Sequence, residues 1–269
     1  MVVESIKLNH FRNYEKLELK FDGGTNLFYG GNAQGKTNIL EAVYLCGTTR
    51  SHKGSKDREI IHFGDDESHI CMNIKRGDIP YRIDMHLKKN KTKGIAINGV
   101  PVRKASELIG IGNFVFFSPE DLNIIKNGPS ERRRFLDMEM CQLDKIYLYH
   151  LSNYNKVLVQ RNKLLKDFSF YPESAAMLDI LDEQLVQYGS VLIKMRNQFI
   201  KNLNEILKEI HRSLSGRKET LVMEYENNTG IEEFGQVLFK NREKDIRTRV
   251  TNTGPHRDDL CFMISGIDI

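Results

Sequence analysis

The stretch Gly30-Gly31-Asn32-Ala33-Gln34-Gly35-Lys36-Thr37 fits the spacing Gly-x-x-x-x-Gly-Lys-Ser/Thr. Those residue types suit one chemistry, the seating of a nucleoside triphosphate. Gly30 and Gly35 let the backbone turn sharply and approach an anion without a Cβ in the way. The N–H groups so exposed cradle phosphate at the start of a helix. Lys36 is then placed to reach the β- and γ-phosphate oxygens, and the Thr37 hydroxyl to ligate Mg²⁺. The flanks agree with this reading. Leu27-Phe28-Tyr29 predicts a short buried strand before the loop, and Ile39, Leu40, Val43 and Tyr44 predict a helix after it, up to Gly47.

Other side chains carry weaker signals. Arg50, His52, Lys53, Lys56 and Arg58 crowd the segment after that helix, and Lys88, Lys89, Lys91 and Lys93 crowd a hairpin tip. The Lys-rich tip suits nucleic-acid phosphates as point charges, and DNA binding by either stretch would be without sequence preference and sensitive to salt. The plainer readings are a solvated loop and a Lys-rich tip that keeps a sheet edge soluble. Neither stretch interleaves aromatics with bases, so base stacking is not indicated. Arg132-Arg133-Arg134 opens a helix, where positive charge opposes the helix dipole. That predicts an anion, an acid or a partner close by, Glu131, Asp137 and Glu139 being the nearest acids. His256 and Asp258 suit a metal or a base, yet no third ligand stands at a sensible spacing, and a structured turn before a strand accounts for them equally.

The elements that must position these groups can be read from periodicity. Leu17, Leu19 and Phe21 alternate with polar residues. Residues 68–103 read as an antiparallel meander, with Asn98-Gly99 as a hairpin turn. Composition shifts at Ser118-Pro119-Glu120-Asp121, a helix start. Two helical runs of about 35 to 40 residues follow, over 130–168 and 173–214, broken at 169–172 and ended by Gly216. So short a joint makes them antiparallel. Strand character returns at 221–225 and 260–264. The pattern is α/β with a helical excursion.

Bulk properties narrow the class. The 269 residues carry 40% hydrophobic side chains, enough for a core, and a formal charge of +4, which permits nucleic acid without demanding it. Cys46, Cys71, Cys141 and Cys261 form no Cys-x-x-Cys pair, which argues against zinc or a disulfide framework and fits a reducing cytoplasm. The first residues lack the apolar run of a signal peptide, and no stretch approaches the roughly 18 apolar residues that span a bilayer.

Taken in order, seven landmarks resemble the RecF family, within the wider group of SMC-type, ABC-like ATPase heads. They are His10-Phe11-Arg12-Asn13-Tyr14, the loop from Gly30 to Thr37, Arg50-Ser51-His52-Lys53, Ser118-Pro119-Glu120-Asp121-Leu122, the run beginning Ser130-Glu131-Arg132 and ending Phe135-Leu136-Asp137, Ser152-Asn153-Tyr154-Asn155, and Thr253-Gly254-Pro255-His256-Arg257-Asp258-Asp259. The resemblance implies a P-loop ABC/SMC-type head, with a first lobe over 1–117, a helical second lobe over 118–216 and a return to the first lobe over 217–269. It implies ATP and Mg²⁺ as cofactors, slow ATP hydrolysis, and an ATP-dependent homodimer that closes on gapped or junction DNA. Such a dimer assists recombinase loading, fork restart and the SOS response, with a mediator protein such as RecR as partner. It implies Arg12 and Asn13 beside the nucleotide, and Arg50 as a DNA-sensing arginine. The family's Ser-x-Gly-Gln signature and its Walker B carboxylates do not occur in these residues, which implies a fragment with doubtful hydrolysis on its own.

Two other functions use the same loop. A small-molecule kinase would need an acceptor pocket and an Arg-rich lid, which Arg132 to Arg134 mimic, but the helical pair is too long and regular for a lid. An SMC-like scaffold insensitive to nucleotide would not need Lys36 and Thr37.

Overall fold

The computed structural model describes residues 1–168 and 175–268. The expected break at 169–172 lies outside the described residues. The chain forms two compact units, Met1–Phe117 and Ser118–Ile269.

In the first unit, β1 (Val2–Phe11) and β2 (Tyr14–Lys20) form a hairpin whose tight turn holds Arg12 at φ 52°. Helix α1 (Lys36–Thr48) and the short α2 (Asp57–Ile60) follow. The expected meander is present as β3 (Glu67–Arg76), β4 (Ile79–Lys88), β5 (Lys91–Ile97) and β6 (Val100–Pro101). All pairs are antiparallel, in the order β2-β1-β3-β4-β5-β6. Asn98 and Gly99 both have positive φ, as a two-residue hairpin turn requires. Period-2 alternation sends Ile6, Leu8, Ile70, Met72, Ile83 and Met85 to one face, where they form a core with Ala42, Leu45 and Cys46 of α1 and with Phe114. Phe114 lies so close to Gly47 that a Cβ there would sit 2.1 Å from its ring, so only glycine allows this packing.

One element differs from expectation. Leu27-Phe28-Tyr29 is not a strand, and Leu27 and Tyr29 are 81% and 89% exposed. The reason is pairing: no strand of the sheet runs alongside these residues among those described, so apolar content alone cannot make them sheet.

The second unit opens with a short 3-10 turn at Pro119–Leu122 and α3 (Asn123–Lys126). The run expected to be one long helix from 130 is two, α4 (Pro129–Leu143) and α5 (Lys145–Asp167). Asp144 divides them, since its backbone is extended and its carboxylate accepts the Ile146 and Tyr147 N–H groups, capping α5. Helix α6 (Ala175–Leu214) has the expected length at 40 residues, and Gly216 follows it at φ 63°. Three contacts fix the α5–α6 seam: Tyr147 with Arg196, a Gly189 backbone that leaves room for the Tyr154 ring, and Arg161 with Asp182. Partners step by seven residues in opposite directions, so the helices run antiparallel with a coiled-coil repeat.

Beyond α6, β7 (Leu221–Glu226), α7 (Phe234–Lys240), α8 (Arg242–Thr248), β8 (Asp259–Ile264) and β9 (Ile267–Asp268) complete the unit, with sheet order β7-β8-β9. Residues 217–268 group with the helices, and their strands form a sheet of their own. Asn204 of α6 explains this locally: its amide bonds both the N–H and the carbonyl of Met223, stitching β7 to the helix.

Candidate functional site: a phosphate loop braced by a hairpin turn

The loop has the backbone its residue types predict. Gly30, Ala33 and Gly35 have φ of 141°, 61° and 93°, conformations open to glycine and costly for most residues. Gly35 is the N-cap of α1, whose first turn holds no acid, so nothing competes with an anion for its free N–H groups. Lys36 Nζ donates to the carbonyls of Gly30 and Gly31 at 2.9 and 2.6 Å, which holds the ammonium over the loop. Gly31, Asn32, Ala33, Gln34 and Thr37 are exposed.

The β1–β2 turn braces this loop from behind. Asn13 Nδ2 and the Tyr14 hydroxyl both donate to the Gln34 carbonyl at 3.3 Å, and Asn38 donates to Asn13 Oδ1 at 2.8 Å. A Cβ on Gly35 would fall 2.6 Å from the Asn13 amide and 2.7 Å from the Tyr14 hydroxyl. The loop is thus pressed onto its support, and glycine is required for close approach as well as for φ. Of these braces, sequence reading found Asn13 but assigned no role to Tyr14 or Asn38.

Arg12 stands at the same turn and is held by protein acceptors. Its Nε and Nη2 make a bidentate pair with Glu41 at 2.9 and 2.6 Å, Nη2 also donates to Ser55 Oγ, and Nη1 donates to the Glu59 carbonyl. Four bonds to protein acceptors make Arg12 a tie between the hairpin turn, α1 and the segment before β3. Glu41 has a relative exposure of 0%. Burial pushes its carboxyl up, but hydrogen bonds from Arg12 and from Ser51 Oγ (2.5 Å) outweigh burial and hold it below the usual range. A signal for Glu41 did exist: it is the lone charge inside the apolar run of α1, and such a charge needs a buried partner.

Against the loop lies an open groove of about 850 Å³, whose lining includes Arg12, Asn13, Asn38, Arg58, Phe63 and Lys89. The exposed N–H groups of the loop and the Lys36 ammonium suit the phosphates of a nucleoside triphosphate, and the groove lies beside the turn that braces the loop. The fit rests on the Gly35 cradle and on an acid-free helix start. For a metal, Thr37 is the one expected ligand here, and no cluster of three His, Cys, Asp or Glu side chains suits an ion among the described residues.

The basic residues separate into two groups. Arg50, Lys53 and Lys91 are exposed. Lys93 is part-buried, and its ammonium donates to the Thr49 carbonyl and Asp57 at 2.8 Å each. Lys88 and Lys89 pair with Glu67 and Asp66 at 2.9 Å.

In the second unit, the acid expected near Arg132 is Asp259, held bidentately at 2.6 and 2.8 Å, while Arg133 donates to the Asp258 carbonyl. His256 and Asp258 hold no metal geometry. Tyr154 donates to His256 Nδ1 at 2.6 Å, and His256 Nε2 faces the Thr251 carbonyl at 3.0 Å. Burial lowers the His256 pKa to about 4. Asp258 is buried, accepting from Tyr225 and from the Asn228 N–H. Arg196 lies within reach of both motifs, donating to Tyr147, Tyr225, Asp137 and the Pro255 carbonyl. No spacing rule foretold Arg161 or Arg196, because their partners are distant in sequence.

A glycine-rich loop opening a helix beside a sheet defines a phosphate-loop nucleotide-binding protein, and the AAA domain family matches residues 5–251. The relatives narrow it further. The chain is 58% identical over 269 residues to the DNA replication and repair protein RecF of Agathobacter rectalis, and 59% identical over 271 residues to that of Lachnospira eligens. It is covered completely in both and spans 74% and 75% of those relatives. A solved structure of the recombination mediator protein RecF-ATP in the RecFOR pathway matches 99% of this chain and 74% of its own, with TM-score 0.95 and 36% identity. The chain belongs to the RecF family of DNA replication and repair proteins. No helix among the described residues is long and apolar enough to cross a membrane.

Proposed function

We propose that this chain is an ATP-binding head that acts in DNA repair, with ATP seated on residues 30–37 and favouring a homodimer that holds DNA. The geometry of the loop carries the reading: Gly35 pressed against Asn13 and Tyr14 at the start of α1, with Lys36 folded over it. The N–H groups of Gly31 to Thr37 and the Lys36 ammonium would hold the phosphates, and Thr37 the Mg²⁺. When bound, Mg²⁺–ATP supplies concentrated negative charge and a hydrolysable phosphoanhydride. Asn13 and Tyr14 orient the loop, and the groove by Phe63 and Arg58 takes the nucleoside. Nucleotide that contacts both protomers binds the closed pair more tightly than the open one and shifts the population accordingly.

Family membership favours this reading over a metabolite kinase or a nucleotide-blind scaffold. The proposal includes slow ATP hydrolysis, a cytoplasmic location, phosphate contacts to DNA from Arg50, Lys53 and Lys91, and a mediator such as RecR as partner. Light scattering of the full-length protein with and without Mg²⁺–ATP, beside Lys36→Ala, tests it. Nucleotide-dependent dimers that vanish in the variant are expected. Association indifferent to nucleotide would support the scaffold, and monomers that phosphorylate a metabolite the kinase.

A further inference from the structure

Glu41 lies one turn of α1 beyond Thr37 and on the same side of the helix, yet its bonds lead away from the phosphate loop. Both carboxylate oxygens are engaged. One accepts Arg12 Nε, and the other accepts Arg12 Nη2 together with Ser51 Oγ. Ser51 is 2% exposed. Its Oγ in turn accepts the Lys53 N–H at 3.2 Å, and its carbonyl accepts the Gly54 N–H at 3.1 Å. Arg12 takes hold further along the same segment, at Ser55 Oγ and at the Glu59 carbonyl, each at 2.8 Å.

These bonds are what shape the segment. Residues 51–56 belong to no helix or strand, so no ladder of backbone bonds fixes them. Lys93 pins the segment from the side of β5, but only at the Thr49 carbonyl and at Asp57. Between those pins, Ser51 and Ser55 are hooked inward onto the Glu41–Arg12 pair, while Arg50, Lys53 and Lys56 are exposed. One buried carboxylate thus arranges three cations to which it makes no hydrogen bond.

The same pair is joined to the nucleotide seat. Asn13, the neighbour of Arg12 in the hairpin turn, donates to the Gln34 carbonyl and accepts from Asn38 of α1. A ligand that fixes residues 30–37 therefore also fixes the turn and the start of α1, which carry Arg12 and Glu41. Ordering already achieved by one ligand lowers the cost of ordering the next contact, and this couples two places without a change of fold. Coupling of that kind is reciprocal.

We infer that Glu41 is a positioning residue through which nucleotide on the phosphate loop sets the order of the basic segment 50–56. The inference rests on the seating of ATP at residues 30–37 and adds a regulated segment to that site. Arg58 lines the groove itself and could respond to nucleotide directly, so the Lys53 and Gly54 amides, both held through Ser51, are the reporters.

Hydrogen exchange of the full-length protein, with and without Mg²⁺–ATP and beside calorimetry of ATP binding, tests it. In the parent, ATP should slow exchange of the Lys53 and Gly54 amides about fivefold or more, the lower end of common coupling strengths. Ser51→Ala leaves the Arg12–Glu41 pair in place and should abolish that slowing, while ATP still protects the amides of residues 31–37. Glu41→Gln should abolish it along the whole segment, and should that variant fail to fold, Ser51→Ala decides alone. Equal slowing in Ser51→Ala and the parent overturns the inference. A parent that binds ATP with the Lys53 and Gly54 amides unmoved overturns it too, and leaves the nucleotide reading standing. A parent that binds no ATP overturns both.

Discussion

Two residues beside the phosphate loop allow sharp tests. Gly35→Ala sets a methyl group 2.6 Å from Asn13 at φ 93°, a strain of roughly 1–3 kcal/mol. Relief requires the loop to lift from its brace. ATP affinity measured by calorimetry should therefore fall at least tenfold while the thermal midpoint moves little. Arg12→Ala should show the opposite balance. It strands Glu41 as a buried, uncompensated carboxylate, which costs about 3–5 kcal/mol, and it frees the segment holding Ser55 and Glu59. A large drop in midpoint is expected, partly recovered in Arg12→Ala/Glu41→Gln. An unchanged midpoint with lost ATP binding would restore Arg12 to the phosphates. These outcomes separate the loop's own geometry from its support, which residue types alone could not do. Lys36 and Thr37 are legible because their chemistry is local, whereas the duty of Arg12 depends on which acceptors surround it.

At the scale of elements, the α5–α6 seam and the segment after it are the parts most sensitive to change. Gly189 sits where a Cβ would lie 2.6 Å from Phe234 and 3.0 Å from Tyr154, so Gly189→Ala overpacks the seam and should cost about 1–3 kcal/mol in denaturant unfolding. The buried His256 adds a pH dependence. Its folded pKa of about 4 lies below the ordinary value of 6.5, so between those values the unfolded chain binds a proton that the folded chain refuses. Stability should decline as pH falls from 6.5 toward 4, by about 3 kcal/mol in total at 1.36 kcal/mol per unit. His256→Gln should lose that part of the slope, and superimposable unfolding profiles for the two proteins would show His256 to be solvated. Helix lengths were readable from apolar recurrence, but the division at Asp144 was not, since one aspartate inside a helical pattern signals a cap only when its φ and ψ are known.

For the whole molecule, the expected behaviour is nucleotide-dependent association together with salt-sensitive, sequence-independent DNA binding. Log affinity should fall linearly with log salt for duplexes of unrelated sequence, and a flat response would argue against phosphate contacts anywhere on the chain. Net charge alone offered little guidance here, because +4 in 269 residues is modest.

By itself, the sequence determined the phosphate-loop backbone, the meander, the long helix and the resemblance to a repair family. Each is written in contiguous residues, through glycine spacing, period-2 and period-3.6 alternation, or ordered motifs. Only the tertiary structure decided that Arg12 serves Glu41, that Lys93 is tied down, that Leu27-Phe28-Tyr29 forms no strand, and that residues 217–268 join the helices. Those outcomes depend on partners tens of residues away, and a side chain's acceptors or a strand's neighbours exist only once the chain has folded.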